Sequence, residues 1–276
     1  MNALISPLVI VAHGTRDDVG AAVVGRLADA VAAELPDVAV RPAFVDVRPP
    51  RVVTALDEVL ALTADAGARA VVVPAFLGAG YHVRHDLPRQ LADAGPAHRT
   101  LLTPLLGSHP LLVTAAADRL RRAGWRAGDA VVLGAAGSRD ERALRDVTAA
   151  AEALGARLRT EVRVGYLASG APMVPEVVEA LRAGGRRVFA ASWLLAPGLF
   201  QRRLVESGAD VVTDPLGVHP AVVAAVVSRY HEAVRPVEEV AGGVLAEVPL
   251  AAQPCDLGWL SGSRFSARSR GGDRLP

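Results

Sequence analysis

The chain contains no lysine: all 30 of its basic residues are arginine, and asparagine occurs once and isoleucine twice in 276 residues. Without lysine there is no Gly-x4-Gly-Lys-[Ser/Thr] phosphate loop, so ATP and other nucleotides are not expected. Cys255 stands alone. A lone cysteine excludes a disulfide framework and a thiolate metal cluster, and it fits a reducing compartment. Aromatic residues make up only 4% of the chain against 51% apolar, so alanine and valine must fill the core. Neither sign of charge dominates. The formal net charge is +1 with no basic block, which argues against a nucleic-acid partner. Long apolar runs are missing too. The stretch from Ala3 to Ala12 is broken by Pro7, has no basic residues ahead of it and is too short to span a bilayer. No later run reaches the roughly 18 residues of a membrane helix. A soluble, cytoplasmic protein without a membrane partner is expected. The arginine bias reads as genome composition, so single arginines carry little weight.

What is present is alternation. Apolar runs of strand length at 7–12, 38–45, 69–76 and 99–104 are separated by helical periods over 18–35, 51–66, 83–94 and 109–123. Continuous valine-rich strands between amphipathic helices predict a parallel sheet covered on both faces. After Gly124 the pattern restarts. "DAVVLGAAGSRDE" (129–141) answers "PLVIVAHGTRDDV", and "VRVGYLASGAP" (162–172) answers "VRPAFVDVRPP". "RRVFAASWLLAPG" (186–198) answers "ARAVVVPAFLGAG", with Trp193 set against the aromatic Phe76, and "TDPLGVHPAVV" (213–223) answers "TPLLGSHPLLV". Four anchors in one order imply a tandem duplication. The expected fold is α/β: two homologous flavodoxin-like, doubly wound parallel-sheet domains, spanning 1–125 and 126–236. A Gly, Ser and Arg-rich tail over 237–276 is expected to be largely disordered.

In the flavodoxin-like order 2-1-3-4, a crevice opens at the carboxyl ends of strands 1 and 3. His13 stands just past strand 1 and His82 just past strand 3, so two imidazoles distant in sequence converge there. Asp46 follows strand 2 at the same rim. Two neutral imidazoles and a carboxylate suit a divalent first-row metal. The second copy carries Ala136, Leu199 and Ala168 where the first has His13, His82 and Asp46. All three candidate ligands vanish together while their surroundings persist, as expected of functional rather than fold-determining residues. His109 and His219 are duplicated and precede proline, so they read as helix starts. Asp46 also suits a helix-start carboxylate, and Asp86 suits the first turn of a helix.

"AHGTRD", "AFVD", "PAFLGAGYHVRHDLP" and "PLLGSHP" together resemble the sirohydrochlorin chelatases, the class II cobalt or iron chelatases of sirohaem and cobalamin synthesis. The likeness spans roughly 7–235. It implies a chelatase-like two-domain long form, in which the family's metal-binding histidines fall on His13 and His82. Its acidic residue falls near Asp46. It further implies an ATP-independent lyase that inserts Fe²⁺ or Co²⁺ into a tetrapyrrole held between the halves. The metal is a substrate, and His13, His82 or Asp46 accepts a pyrrole proton. Arg16, Arg48, Arg51, Arg84, Arg202 and Arg203 are candidate partners for the macrocycle's carboxylates. A monomer or homodimer is expected. The alternatives are a metal or tetrapyrrole carrier without turnover and a histidine-dependent phosphatase. The phosphatase pattern places arginine before the histidine, where Ala12 stands here.

Overall fold

The computed structural model describes residues 6–63, 67–80, 82–95 and 99–235, and of His82 only the backbone. The segment expected to form a tail, 237–276, lies outside the described residues. The first half of the chain builds β1 (Leu8–Ala12), α1 (Asp18–Glu34), β2 (Val40–Phe44), α2 (Val52–Ala61), β3 (Ala70–Pro74), α3 (Leu87–Asp93), β4 (Thr100–Leu102) and α4 (Pro110–Arg122). The second half builds β5 (Ala130–Gly137), α5 (Glu141–Leu158), β6 (Val162–Ser169), α6 (Val174–Arg182), β7 (Val188–Trp193), α7 (Leu199–Val205), β8 (Val211–Val212) and α8 (Pro220–Val234). Each half contributes one parallel four-stranded sheet, in the orders β2-β1-β3-β4 and β6-β5-β7-β8. The expected doubly wound order is present twice.

The central strands β1 and β3 are buried along their whole length, which is why they read as unbroken valine-rich runs. One face of the first sheet packs Val9 and Val11 against Val52, Leu56 and Val59 of α2. The corresponding face of the second packs Val132 against Val177 and Leu181 of α6 and Leu204 of α7. The remaining faces share a single core that runs from Leu8 and Ile10 through Leu133 and Phe189 to Val222 and Tyr230.

That shared core arises from an exchange. The last helix of each half covers the other half's sheet: α4 packs on β7, α8 packs on β3, and the two helices lie against each other. Residues up to Arg235 accordingly form one compact unit. Tyr230 of α8 donates to the Ser6 carbonyl at 2.9 Å, tying the end of the described chain to its start.

The paired histidine–proline sequences start these exchanged helices. His109 Nδ1 accepts the Leu111 amide at 3.3 Å and His219 Nδ1 accepts the Ala221 amide at 3.1 Å. Proline occupies the first helical position, where its missing N–H costs nothing. Burial, followed by the charge of Arg229, lowers the pKa of His109. Burial, followed by the charge of Arg119, lowers that of His219.

Two local features depart from the sequence reading. The helix expected over 83–94 opens as a wide π turn, His82–Asp86, before α3 begins. Pro88 lacks the N–H that an α-helical ladder needs one turn back, and the wider turn accommodates this. The repeat register also shifts locally. Val11 pairs with Pro74, whereas Ala135, the counterpart of Ala12, pairs with Trp193. Trp193 therefore occupies the place of Ala75, not of Phe76.

Candidate functional site

The carboxyl ends of the central strands of both sheets open onto one cavity of about 600 Å³. Its lining follows the repeat: Ala12, His13, Gly14 and Thr15 after β1 are matched by Ala135, Ala136, Gly137 and Ser138 at the end of β5. Leu77, Gly78 and Gly80 beyond β3 are matched by the 194–198 segment beyond β7. Phe44, Phe76, Trp193 and Phe200 add ring surface. The walls are apolar, and His13 is an exposed polar group on them.

Backbone geometry fixes His13. Gly14 has a φ of +96°, and the Asp46 carbonyl lies where a Cβ on Gly14 would stand, so only glycine fits. The Asp46 amide donates to the His13 carbonyl at 3.1 Å. The ring nitrogen Nδ1 lies 3.2 Å from the Gly14 carbonyl oxygen. A carbonyl only accepts, so Nδ1 is the donor in this contact; in a neutral imidazole that leaves the lone pair on Nε2, the form a metal ligand needs.

Asp46 thus neighbours His13 through the backbone, but its exposed carboxylate is not part of the cavity wall. Its Oδ1 accepts the Val47 amide at 2.7 Å and lies 3.8 Å from Arg51. That hydrogen bond supports Val47 at a φ of +70°, a conformation valine otherwise avoids. The second half forms the same close approach with Gly137, a φ of +89°, and the Ser169 carbonyl. In backbone terms the counterpart of Asp46 is Ser169 rather than Ala168, and neither is acidic.

His82 opens the π turn His82–Asp86; its side chain lies outside the described residues. Gly80 and Val83, on either side of it, line the same cavity as His13. Among the described residues no three His, Cys, Asp or Glu side chains converge as a metal cluster.

Most candidate arginines already have protein partners. Arg48 donates to the Thr15 carbonyl and pairs with Asp18 at 3.2 Å, and Arg51 donates to the Val45 carbonyl. Arg84 lies 3.6 Å from Asp140, Arg202 lies 3.2 Å from Asp17, and Arg203 donates to the Leu167 carbonyl. Arg16 is exposed beside Thr15.

A family model described as CbiX matches residues 7–123 and, a second time, residues 130–233. The chain belongs to the CbiX family. Among solved structures, SirB from Bacillus subtilis with Fe³⁺ superposes with a TM-score of 0.72 at 23% identity, covering 83% of this chain and 96% of that one. SirB from Bacillus subtilis subspecies spizizenii in complex with cobalt gives 0.67 at 22% identity, covering 83% and 95%. At those identities the likeness is one of fold. A CbiX described as the terminal enzyme of sirohaem biosynthesis in denitrifying bacteria gives 0.62 at 26% identity, covering 82% and 99%. No curated protein matches the sequence. The two-sheet, two-copy architecture is thus that of the CbiX family. Among the described residues, no helix is long and apolar enough to cross a membrane.

The sequence did not reveal how much of this cavity comes from the second copy. Trp193 is the largest such contribution. Its indole Nε1–H donates to the Leu77 carbonyl of the first half at 3.2 Å. The only sequence signal was a lone tryptophan within an otherwise repeated strand.

Proposed function

We propose that this protein is a sirohydrochlorin chelatase that inserts Fe²⁺ or Co²⁺ into its tetrapyrrole, with the metal as substrate and no nucleotide consumed. One observation carries the reading: His13, its Nδ1 turned to the Gly14 carbonyl, stands on the apolar cavity that Gly80 and Val83, on either side of His82, also line. Family membership supports it, as does the 26%-identical CbiX whose description places it in sirohaem biosynthesis.

His13 and His82 hold the incoming ion by neutral imidazole nitrogens. The macrocycle lies against the apolar walls supplied by both halves. As the ion passes to the ring, two pyrrole N–H protons leave. Asp46, two residues beyond Phe44 of the cavity wall, or the imidazole that releases the ion takes up a proton. The balance is M²⁺ plus the free-base ring giving the metallated ring and two protons. Few protein ligands suit a site that must surrender its ion, because a closed four-ligand shell would retain it. The protein acts in the cytoplasm as a monomer or homodimer.

The test is anaerobic mixing of the protein with sirohydrochlorin and either Fe²⁺ or Co²⁺, following the change in the ring's absorption. Many turnovers are expected from the wild type, with a loss of about a hundredfold or more in His13→Ala and His82→Ala. Binding of metal and ring without turnover would instead identify a carrier.

A further inference from the structure

The second copy has lost its candidate ligands, yet it holds the segment that carries His82. Between β3 and the π turn, residues 76–80 run along the start of α5 from the other half. A Cβ on Gly78 would stand 3.6 Å from the Ala143 carbonyl, and one on Gly80 would stand 3.7 Å from Ser138 Oγ. Two polar contacts fix this approach. Trp193 Nε1–H donates to the Leu77 carbonyl at 3.2 Å. The Ala79 amide donates to Asp146 Oδ2 at 3.1 Å.

Neither contact has a reciprocal partner. In the repeat, Trp193 corresponds to Ala75 through the strand pairing, and Asp146 corresponds to Val23 through the matching helix caps Asp17 and Asp140. Alanine and valine donate and accept nothing from their side chains, so at these two positions the first half gives the 194–198 segment no such hydrogen bond. The contacts appear on one side only, and it is the side that keeps its histidines.

We infer that Trp193 and Asp146 are positioning residues for His82, and that the ligand-free copy serves as a brace for the loop of the copy that binds metal. The inference rests on the reading of His82 as a metal ligand. Each brace takes hold of the loop's backbone three or five residues before His82. Holding the backbone at Leu77 and Ala79 restricts the loop that carries His82, and releasing it would weaken the grip on the ion.

The test uses the full chain. Cobalt binding is titrated by visible absorption, and steady-state insertion is measured against Co²⁺ concentration, for wild type, His82→Ala, Trp193→Phe, Asp146→Ala and Asp146→Asn. Trp193→Phe keeps a ring but removes the N–H. Asp146→Asn keeps an oxygen that accepts the Ala79 amide. Cobalt affinity is expected to fall about tenfold in Trp193→Phe and Asp146→Ala, and to stay near wild type in Asp146→Asn. The KM for Co²⁺ should rise by the same factor, with kcat recovering at saturating cobalt. A general folding defect would lower kcat through the active fraction and leave that KM in place. Wild-type affinity in both Trp193→Phe and Asp146→Ala, with binding lost in His82→Ala, would overturn the brace and leave the ligand reading intact. Wild-type affinity in His82→Ala would overturn both. If Trp193→Phe fails to fold, the Asp146→Ala and Asp146→Asn pair decides alone.

Discussion

Arg84 of the first half meets Asp140 of the second at 3.6 Å, and the same contact recurs in reverse, where Arg202 of the second half meets Asp17 of the first at 3.2 Å. Both aspartates cap helices: Asp17 accepts amides at the start of α1 and Asp140 accepts one at the start of α5. The amides of Gly20 and Val19, with Arg202, hold the Asp17 carboxyl below its ordinary pKa. The halves thus pair through a pseudo-twofold relation, each helix start facing an arginine from beyond the other half's third strand.

Partial exposure limits what such a pair is worth. Arg84 and Asp140 are each 30% exposed. Removing the arginine in Arg84→Ala should cost only about 0.5–1 kcal/mol in urea unfolding. A loss of several kcal/mol would mean that the pair supports the interface far more than its exposure indicates.

Two glycines of α1 should respond in opposite directions. Gly25 has nothing within 4 Å of where a Cβ would stand, so Gly25→Ala should stabilise by about 0.5–1 kcal/mol through helix propensity. At Gly20 a Cβ would stand 2.5 Å from the Pro197 carbonyl of the other half. Gly20→Ala should therefore destabilise by about 1–2 kcal/mol despite the same propensity gain. Denaturant midpoints of the two variants decide the matter, and a stabilised Gly20→Ala would show that the halves are not in contact there.

Acid should loosen the exchanged helices. His109 and His219 must keep Nδ1 unprotonated to accept their capping amides, and burial holds both below the ordinary value of 6.5. As pH falls through about 6.5, the unfolded chain takes up protons that the native chain refuses. Stability is therefore full above about pH 6.5 and declines below it, down to the native pKa values. Urea midpoints followed from pH 8 to pH 5 should fall more steeply for wild type than for the His109→Asn, His219→Asn double variant. Asparagine caps a helix but does not titrate in this range. Equal slopes would remove the two histidines from the explanation.

The helix exchange makes a further prediction. Without α8, the β3 face of the first sheet lies open, and α4 has no β7 to cover. Residues 1–125 expressed alone should fail to give a cooperative monomer, with weak near-ultraviolet circular dichroism and aggregation or dimerisation in sizing columns. A stable monomer with a sharp transition would show that each half carries a sufficient core.

Much of the architecture was legible because its determinants are local. Strands buried on both faces, such as "LVIVA" and "AVVVP", leave unbroken valine-rich runs, and the duplication repeats the same turn residues in the same order. His13 was legible because it interrupts such a run at its end. The exchange of α4 and α8 was not, since an apolar stripe on a helix does not specify which sheet it will cover. The register of Trp193 was also missed by one residue, because sequence similarity aligned it with the aromatic Phe76 while the hydrogen-bond ladder sets it opposite Ala135. Asp146 carried no sequence signal at all: an acidic residue on a helix usually faces water, and the amide it accepts belongs to a loop 67 residues away.

The last prediction separates the macrocycle's place from the metal's. Ala136 corresponds to His13 and lines the same cavity from the second half. Phenylalanine there would intrude on the space between the halves while leaving His13 and the loop of His82 unchanged in sequence. If the tetrapyrrole lies between the halves, Ala136→Phe should raise the KM for sirohydrochlorin by about tenfold or more, in line with the cost of overpacking a site. Cobalt titration in the absence of the ring should match wild type, since neither His13 nor the loop of His82 has changed. Wild-type insertion kinetics in Ala136→Phe would place the ring elsewhere, with only the first half in contact with it. A parallel loss of cobalt affinity would instead mean that the two sides of the cavity are mechanically coupled through its walls.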